Sequence, residues 1–107
     1  MKLCITAKGE TLDSPTEERF GRAPYFIVMD SATGSFEAIR NPFAEGGGGV
    51  GPKAAQLLIV HDVKAVLTGQ VGGNAQEVLS AAGITVHLIR SGATVRDAFE
   101  QFKTKGT

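Results

Sequence analysis

A glycine-rich stretch at residues 41–53 divides this chain into two parts with different sequence patterns. It contains four consecutive glycines at residues 46–49, followed by Val50, Gly51 and Pro52. Before it, short apolar runs alternate with turn-forming residues, as is typical of β-strands, whereas after it helical and strand patterns alternate. Because glycine lacks a Cβ, such a run leaves backbone N–H groups open to close approach by a ligand. The stretch is therefore either a flexible connection or a binding loop.

Five strands and three helices are predicted from hydrophobic periodicity and turn-forming residues, in the order βββαβαβα. The second and third strands should form an antiparallel hairpin, and the uncharged first strand should be central. Later crossovers should be right-handed and return the chain parallel. The order therefore predicts an α/β protein with a five-stranded mixed sheet, in a three-layer α/β/α arrangement of the ribonuclease H-like type. The predicted strands cover residues 3–7, 25–29, 36–40, 63–68 and 84–89.

Capping residues and apolar spacing set the expected helix boundaries. The first helix should have Pro52 in its first turn and should bury Ala54, Leu57, Leu58 and His61. The second should begin at a capping box of Asn74 and Glu77, end at Gly83, and bury Ala75, Val78, Leu79 and Ala82. The third should be capped by Thr94 with Asp97 and should bury Val95, Ala98, Phe99 and Phe102.

Composition limits the class of protein and its partners. The 107 residues are expected to form a single domain, and eleven Lys and Arg balance eleven Asp and Glu. A chain without net charge has no overall field to attract nucleic acid or an anionic membrane. One cysteine excludes an intramolecular disulfide, and no apolar run approaches the roughly eighteen residues of a membrane span. We expect a cytoplasmic protein that binds neither nucleic acid nor membrane.

Nucleotide-binding motifs are incomplete in the glycine-rich stretch. Gly46, Gly48 and Gly51 have the G-x-G-x-x-G spacing, but the strand that follows the helix ends without an acidic residue to bind a ribose hydroxyl. A phosphate-binding Walker loop would need Lys and then Ser or Thr after Gly51, where the chain has Pro52 and Lys53. The first and fourth strands also lack the carboxylates of a two-metal nuclease. Nucleotides and nuclease chemistry are therefore disfavoured.

Few side chains are suited to binding a soft metal or to catalysis. Cys4, His61 and His87 are the only candidates of the first kind, and none is paired at ligand spacing. Cys4 is expected to be a buried apolar thiol. No spacing of Ser, Cys, His and acidic residues indicates covalent catalysis, so we assign neither metal ligands nor catalytic residues. An enzyme for small phosphorylated substrates would lack a nucleophile and a base.

Three loops are expected to meet at one edge of the sheet. They cover residues 19–24, 41–53 and 69–74, and the last two precede helices, whose N-termini supply free N–H groups and positive potential. With two arginines nearby, this arrangement describes an anion-binding pocket. Alternatively, the glycines only make tight turns and the arginines are solvated. The candidate binding residues are Arg19, Arg22, Asn41, Gly46, Gly47, Gly48, Gly49, Gly51, Gly72, Gly73 and Asn74.

Several blocks, in order and at compatible spacing, carry a resemblance to one family. They are Arg19-Phe20-Gly21-Arg22-Ala23-Pro24-Tyr25-Phe26, Asn41 with the glycine run, Gly72 with Asn74 and Ala75, and Ala82-Gly83-Ile84. Over almost the whole chain they resemble the dinitrogenase iron-molybdenum cofactor-binding family. The resemblance implies a ribonuclease H-like fold and a non-enzymatic role in nitrogenase cofactor biosynthesis. The cofactor would be the iron-molybdenum cofactor, its precursor or another iron-sulfur cluster.

Two functions from different classes follow. The first is a carrier of an anionic metal-sulfur cofactor, acting as a monomer or weak homodimer with a cluster donor or acceptor protein. The glycine-rich stretch has neither Cys nor His, so it would be a cradle for the cofactor rather than a set of metal ligands. The second is a metal-free interaction or regulatory module whose glycine-rich loop binds a partner protein.

Overall fold

A computed structural model describes residues 1–46 and 50–105 and confirms the element order predicted from the sequence. The elements are β1 (Lys2–Ala7), a single-turn 3₁₀ helix (Phe20–Arg22), β2 (Tyr25–Asp30), β3 (Phe36–Arg40), α1 (Val50–Val60), β4 (Ala65–Thr68), α2 (Gly73–Ala81), β5 (Thr85–Leu88) and α3 (Val95–Lys105). None of the helices within these residues has the length and apolar character needed to cross a bilayer.

The five strands form one mixed sheet in the order β3-β2-β1-β4-β5, with β1 in the centre as predicted. β1 pairs antiparallel with β2 and parallel with β4. β2 and β3 form the predicted antiparallel hairpin, and β5 is added parallel to β4. Residues 3–7 of β1 are all buried, because this strand has a neighbour on each side and helices over both faces.

Alternate residues of the strands enter two separate hydrophobic cores. Cys4 and Val66 face a core that contains Leu58 of α1 and Leu79 of α2. Leu3, Ile5 and Leu67 face the opposite core, which is closed by Val95, Ala98 and Phe99 of α3. Helices on both sides of the sheet give the predicted three-layer α/β/α arrangement. The narrower ribonuclease H-like assignment stays a prediction.

Two reciprocal hydrogen bonds between Thr94 and Asp97 define the start of α3, as predicted. The Asp97 backbone N–H donates to Thr94 Oγ1 at 3.1 Å, and the Thr94 N–H donates to Asp97 Oδ2 at 3.3 Å. This is a capping box, and it satisfies two N–H groups of the first turn. The predicted buried face is also found, with Val95, Ala98 and Phe99 buried and Phe102 partly buried.

The start of α2 differs from the prediction. The N-cap is Gly72 and the helix begins at Gly73, so Asn74 already lies in the first turn and does not cap it. Ala82, predicted to be buried, is the exposed C-cap. Gly83 ends the helix as expected, with a φ of 77° that favours glycine.

The α1 helix packs more closely on its neighbours than its sequence indicated. Ala54 and Leu58 are buried as predicted, but His61 lies just beyond the helix and is partly exposed. Ala55, which was not predicted, is fully buried. The contact between α1 and α2 uses small residues, since a Cβ on Gly51 would lie 3.1 Å from the Ala75 Cβ.

Candidate anion-binding groove

The 3₁₀ helix is anchored by one aromatic side chain between two arginines. Phe20 is buried and contacts Phe26, with 5.5 Å between ring centroids. Its backbone N–H donates to the Gln70 carbonyl at 3.0 Å. Because Phe20 points into the core, Arg19 and Arg22 on either side of it are held near the surface, one exposed and one half-buried.

A groove of about 440 Å³ lies where three separate segments of the chain meet. The 3₁₀ helix supplies one wall, the start of α1 a second, and the loop between β4 and α2 a third. The predicted site residues that line it are Arg19, Arg22, Gly51 and Gly72. The other lining residues are Phe20, Gly21, Val50, Gln70 and Val71. The structure therefore brings together the three loops that the sequence singled out.

Arg22 connects the groove to the beginning of the glycine-rich stretch. Its Nη1 donates to the Ala44 carbonyl at 3.1 Å and to the Gly46 carbonyl at 2.7 Å. A guanidinium has five N–H donors in a rigid plane, so these two bonds fix its orientation without using its full donor capacity. Gly46 itself is exposed, and its N–H closes a turn onto the Phe43 carbonyl at 3.0 Å.

Asn41 has a supporting position. Its side chain is 3% exposed, and Nδ2 donates to the Gly21 carbonyl at 3.1 Å and to the Ala23 carbonyl at 2.9 Å. Oδ1 accepts a hydrogen bond from the Phe43 N–H at 3.0 Å. With both ends of the amide bonded to backbone, Asn41 holds the 3₁₀ helix to the turn that follows β3. The remaining candidates from the glycine run, Gly47, Gly48 and Gly49, lie outside the described residues.

The N-terminus of α2 opens toward the groove. Gly72 lines the groove, and Gly73 and Asn74 follow it in the first helical turn; all three are exposed. A Cβ built on Gly72 or Gly73 would meet no described heavy atom within 4 Å. Gly72 and Gly73 are both described by the structure, and neither has the positive φ that would favour glycine. The fold therefore does not require glycine at these positions, and the missing side chains leave the first-turn N–H groups accessible to a ligand.

Two other glycines bring the walls of the groove together. A Cβ on Gly21 would lie 3.1 Å from both the Cα and the N of Gly51. The neighbouring atoms belong to the backbone of Gly51 and cannot turn aside as a side chain can, so a side chain at Gly21 would push the 3₁₀ helix away from α1. Gly51 likewise allows the close contact with Ala75 described above. Gly51 thus serves packing as well as lining the groove.

Comparisons with known proteins decide the family. The family model described as dinitrogenase iron-molybdenum cofactor matches residues 1–105. The chain belongs to this family. The apo form of the orange protein from Desulfovibrio gigas is 39% identical with a TM-score of 0.92, covering 96% of this chain and 87% of that one. A putative NifB protein from Thermotoga is 36% identical, with a TM-score of 0.85, and the match covers 97% of this chain and 88% of that chain. No curated protein matches.

In this member of the iron-molybdenum cofactor family, the soft side chains are not gathered at the groove. Cys4 is fully buried in β1, and burial raises the pKa of its thiol well above the usual value. The His61 carbonyl accepts from Lys2 at the start of β1, and His87 contacts Phe102 of α3 edge-on at 5.1 Å. Within residues 1–46 and 50–105, no three His, Cys, Asp or Glu side chains form a group able to hold a metal.

Proposed function

We propose that this protein binds and carries an anionic metal-sulfur cofactor in the groove and catalyses no reaction on it. The cofactor would be the iron-molybdenum cofactor, one of its precursors or another iron-sulfur cluster. The observation that carries the proposal is the combination of Arg19 and Arg22 with the open N-terminus of α2 around one groove. Membership of the family supports a cofactor of this class.

Charge complementarity is the physical basis of the proposal. Iron-sulfur cofactors carry negative charge, and guanidinium groups and backbone N–H groups form charge-assisted hydrogen bonds to anionic sulfur and oxygen. Each such bond contributes about 1.5–3 kcal/mol when one partner is charged. The positive end of α2 adds a favourable contribution of about 0.3–1 kcal/mol. Several such contacts would have to act together, since micromolar binding requires about 8.2 kcal/mol.

The donor set of the groove defines how the cofactor would be held. Its lining residues, among those that the structure describes, are arginines, glycines, apolar side chains and Gln70, and none of these is a thiolate, imidazole or carboxylate. Such a surface fits a cluster whose metals are already ligated by sulfide, thiolate or an organic acid. The protein would therefore contact the outside of the cofactor, and a donor or acceptor protein could remove the intact cluster without breaking bonds between metal and protein.

The proposal is tested by binding under anaerobic conditions. A synthetic thiolate-capped [4Fe–4S] cluster is mixed with the protein, and bound iron and the charge-transfer absorption are measured after gel filtration. Arg19→Ala and Arg22→Ala should each weaken binding about tenfold, which corresponds to the loss of one charge-assisted hydrogen bond.

Arg96→Ala is the matched control. Arg96 is exposed on α3 and pairs with Asp13 across 3.4 Å, so its removal should cost little stability and leave cluster binding unchanged. Equal losses in all three variants would indicate a general charge effect and contradict the assigned groove. A wild-type protein that retains no iron and shows no charge-transfer band would overturn the carrier proposal and favour the metal-free interaction module.

A further inference from the structure

Two fully buried threonines lie at the ends of adjacent strands next to the groove. Thr6 in β1 and Thr68 in β4 each have no exposed surface. Because side chains alternate along a strand, they continue the rows that contain Cys4 and Val66 on the α1 and α2 side of the sheet. At this end of the sheet, hydroxyl groups therefore replace the apolar side chains of the core. Burying a hydroxyl is unfavourable unless it forms a hydrogen bond.

Both hydroxyls bind the backbone of one loop segment. Thr6 Oγ1 donates to the Glu17 carbonyl at 2.6 Å, and the Glu17 N–H donates back to the Thr6 carbonyl at 2.9 Å. Thr6 Oγ1 also donates to Thr68 Oγ1 at 2.9 Å, so its single proton is shared between Glu17 and Thr68, and Thr68 Oγ1 donates to the Glu18 carbonyl at 3.4 Å. The two strands thus hold two successive peptide groups, those immediately before Arg19.

The same segment is joined to the residues that leave β4. The Gly69 N–H donates to the Glu18 carbonyl and the Phe20 N–H donates to the Gln70 carbonyl, both at 3.0 Å, and Arg19 forms a parallel bridge with Gln70. A Cβ on Gly69 would lie 3.0 Å from the Glu18 carbonyl oxygen, so glycine allows this close approach. Arg19 therefore enters the groove from a backbone fixed on both sides.

We infer that Thr6 and Thr68 are positioning residues that set the place of Arg19 and thereby the affinity of the groove for its anionic ligand. This inference rests on the proposed function. Valine would fill nearly the same volume and would avoid burying a hydroxyl, so packing alone does not account for threonine at either position. The hydrogen bonds to Glu17 and Glu18 do account for it.

The test compares Thr6→Val and Thr68→Val with Thr6→Ser, which keeps the hydroxyl. Thr16→Val is the matched control, since Thr16 is also buried but its hydroxyl donates to the Ala93 carbonyl at 3.1 Å. Amide hydrogen exchange is measured first, without ligand. The valine variants at Thr6 and Thr68 should speed exchange of the Phe20 and Gly69 amides about tenfold. In Thr6→Ser, which keeps the hydroxyl, these amides should exchange at the wild-type rate.

Binding of the thiolate-capped [4Fe–4S] cluster is then measured in two backgrounds. In the wild-type background, Thr6→Val should weaken binding about fivefold to tenfold, whereas in the Arg19→Ala background it should cause no further loss, since the two changes remove the same contact. Thr16→Val should leave binding unchanged in both backgrounds. Should Thr6→Val not fold, Thr68→Val replaces it in both backgrounds. Its hydrogen bond to Glu18, at 3.4 Å, is longer than the 2.6 Å bond from Thr6 to Glu17, so its loss should disturb the fold less.

Two results would overturn the inference. One is unchanged exchange of the Phe20 and Gly69 amides in both valine variants. The other is an equal loss of cluster affinity with and without Arg19, which would show that the threonines act on the whole fold. If the wild-type protein does not bind the cluster, the proposed function fails by itself, and the exchange rates still decide whether the hydroxyls hold the segment.

Discussion

At the scale of single residues, burial determines the chemistry of the only cysteine. The Cys4 thiol lies inside β1, between the strands on either side and beneath α1 and α2, and desolvation raises its pKa. A thiolate is the reactive and metal-binding form, so a thiol that keeps its proton is inert. Cys4 is therefore expected to resist alkylation in the folded protein and to contribute no ligand to a cofactor.

The raised pKa predicts a loss of stability at alkaline pH. The unfolded thiol loses its proton above its ordinary pKa of about 9.0, while the folded thiol keeps it, so the unfolded state binds fewer protons and is favoured as pH rises. The contribution of Cys4 is constant below pH 9 and then falls by about 1.4 kcal/mol per pH unit. Urea unfolding at pH 8 and pH 10 should show a smaller decrease for Cys4→Val than for wild type. Equal decreases would contradict the burial argument.

Residues of the groove were predictable where one loop carries them and not where distant segments meet. Arg19, Arg22, Gly51 and Gly72 stand in glycine-rich or charged loops, which are visible in the sequence. The partners of Thr6 and Thr68 are not visible, because the contact between Thr68 and Glu18 spans 50 residues. Its only sequence signal is a threonine at the buried end of an apolar strand.

At the scale of elements, strand positions followed from the sequence to within about two residues. The largest strand difference is at β4, which was predicted from residue 63 and begins at Ala65. Hydrophobic period, Gly83 and the Thr94 capping box set the other boundaries, since these are local effects. The α2 capping box was predicted wrongly, because the N-cap is Gly72 and Asn74 already lies in the first turn of the helix.

Substitution of Gly73 by alanine should have opposite effects on the stability of the fold and on ligand binding. Gly73→Ala should stabilise the protein by about 0.5–1 kcal/mol, because alanine loses less backbone entropy in a helix and its Cβ meets no described atom. The same methyl group should weaken cluster binding by narrowing access to the first-turn N–H groups of α2. Urea unfolding and anaerobic titration measure the two effects on one variant.

A glycine at a backbone contact is the control for that prediction. Gly21→Ala places a Cβ 3.1 Å from the backbone of Gly51, so it should lower the free energy of unfolding by about 1–3 kcal/mol. If Gly73→Ala improved stability and left binding unchanged, the open N-terminus of α2 would not contribute to the site.

At the scale of the whole molecule, zero formal charge and an anion-binding groove are compatible because charge is arranged locally. Arg19 and Arg22 line the groove and none of its described lining residues is acidic, although Glu17 lies beside it and accepts a hydrogen bond from the Arg19 backbone N–H at 3.1 Å. The absence of net charge means that no general field draws polyanions to the surface. Ligand binding should therefore depend on particular arginines rather than on overall charge.

Binding to the folded state alone links the ligand to global stability. A ligand present at about 100 times its Kd should raise the free energy of unfolding by about 2.7 kcal/mol. We expect this increase for wild type and for Arg96→Ala with the thiolate-capped [4Fe–4S] cluster, measured anaerobically by the urea midpoint. The double variant Arg19→Ala with Arg22→Ala should show almost none of it at the same cluster concentration. The increase should also diminish with added salt, since exposed guanidinium contacts are screened. Equal stabilisation of the double variant would place the cluster elsewhere on the molecule, because linkage reports binding wherever it occurs.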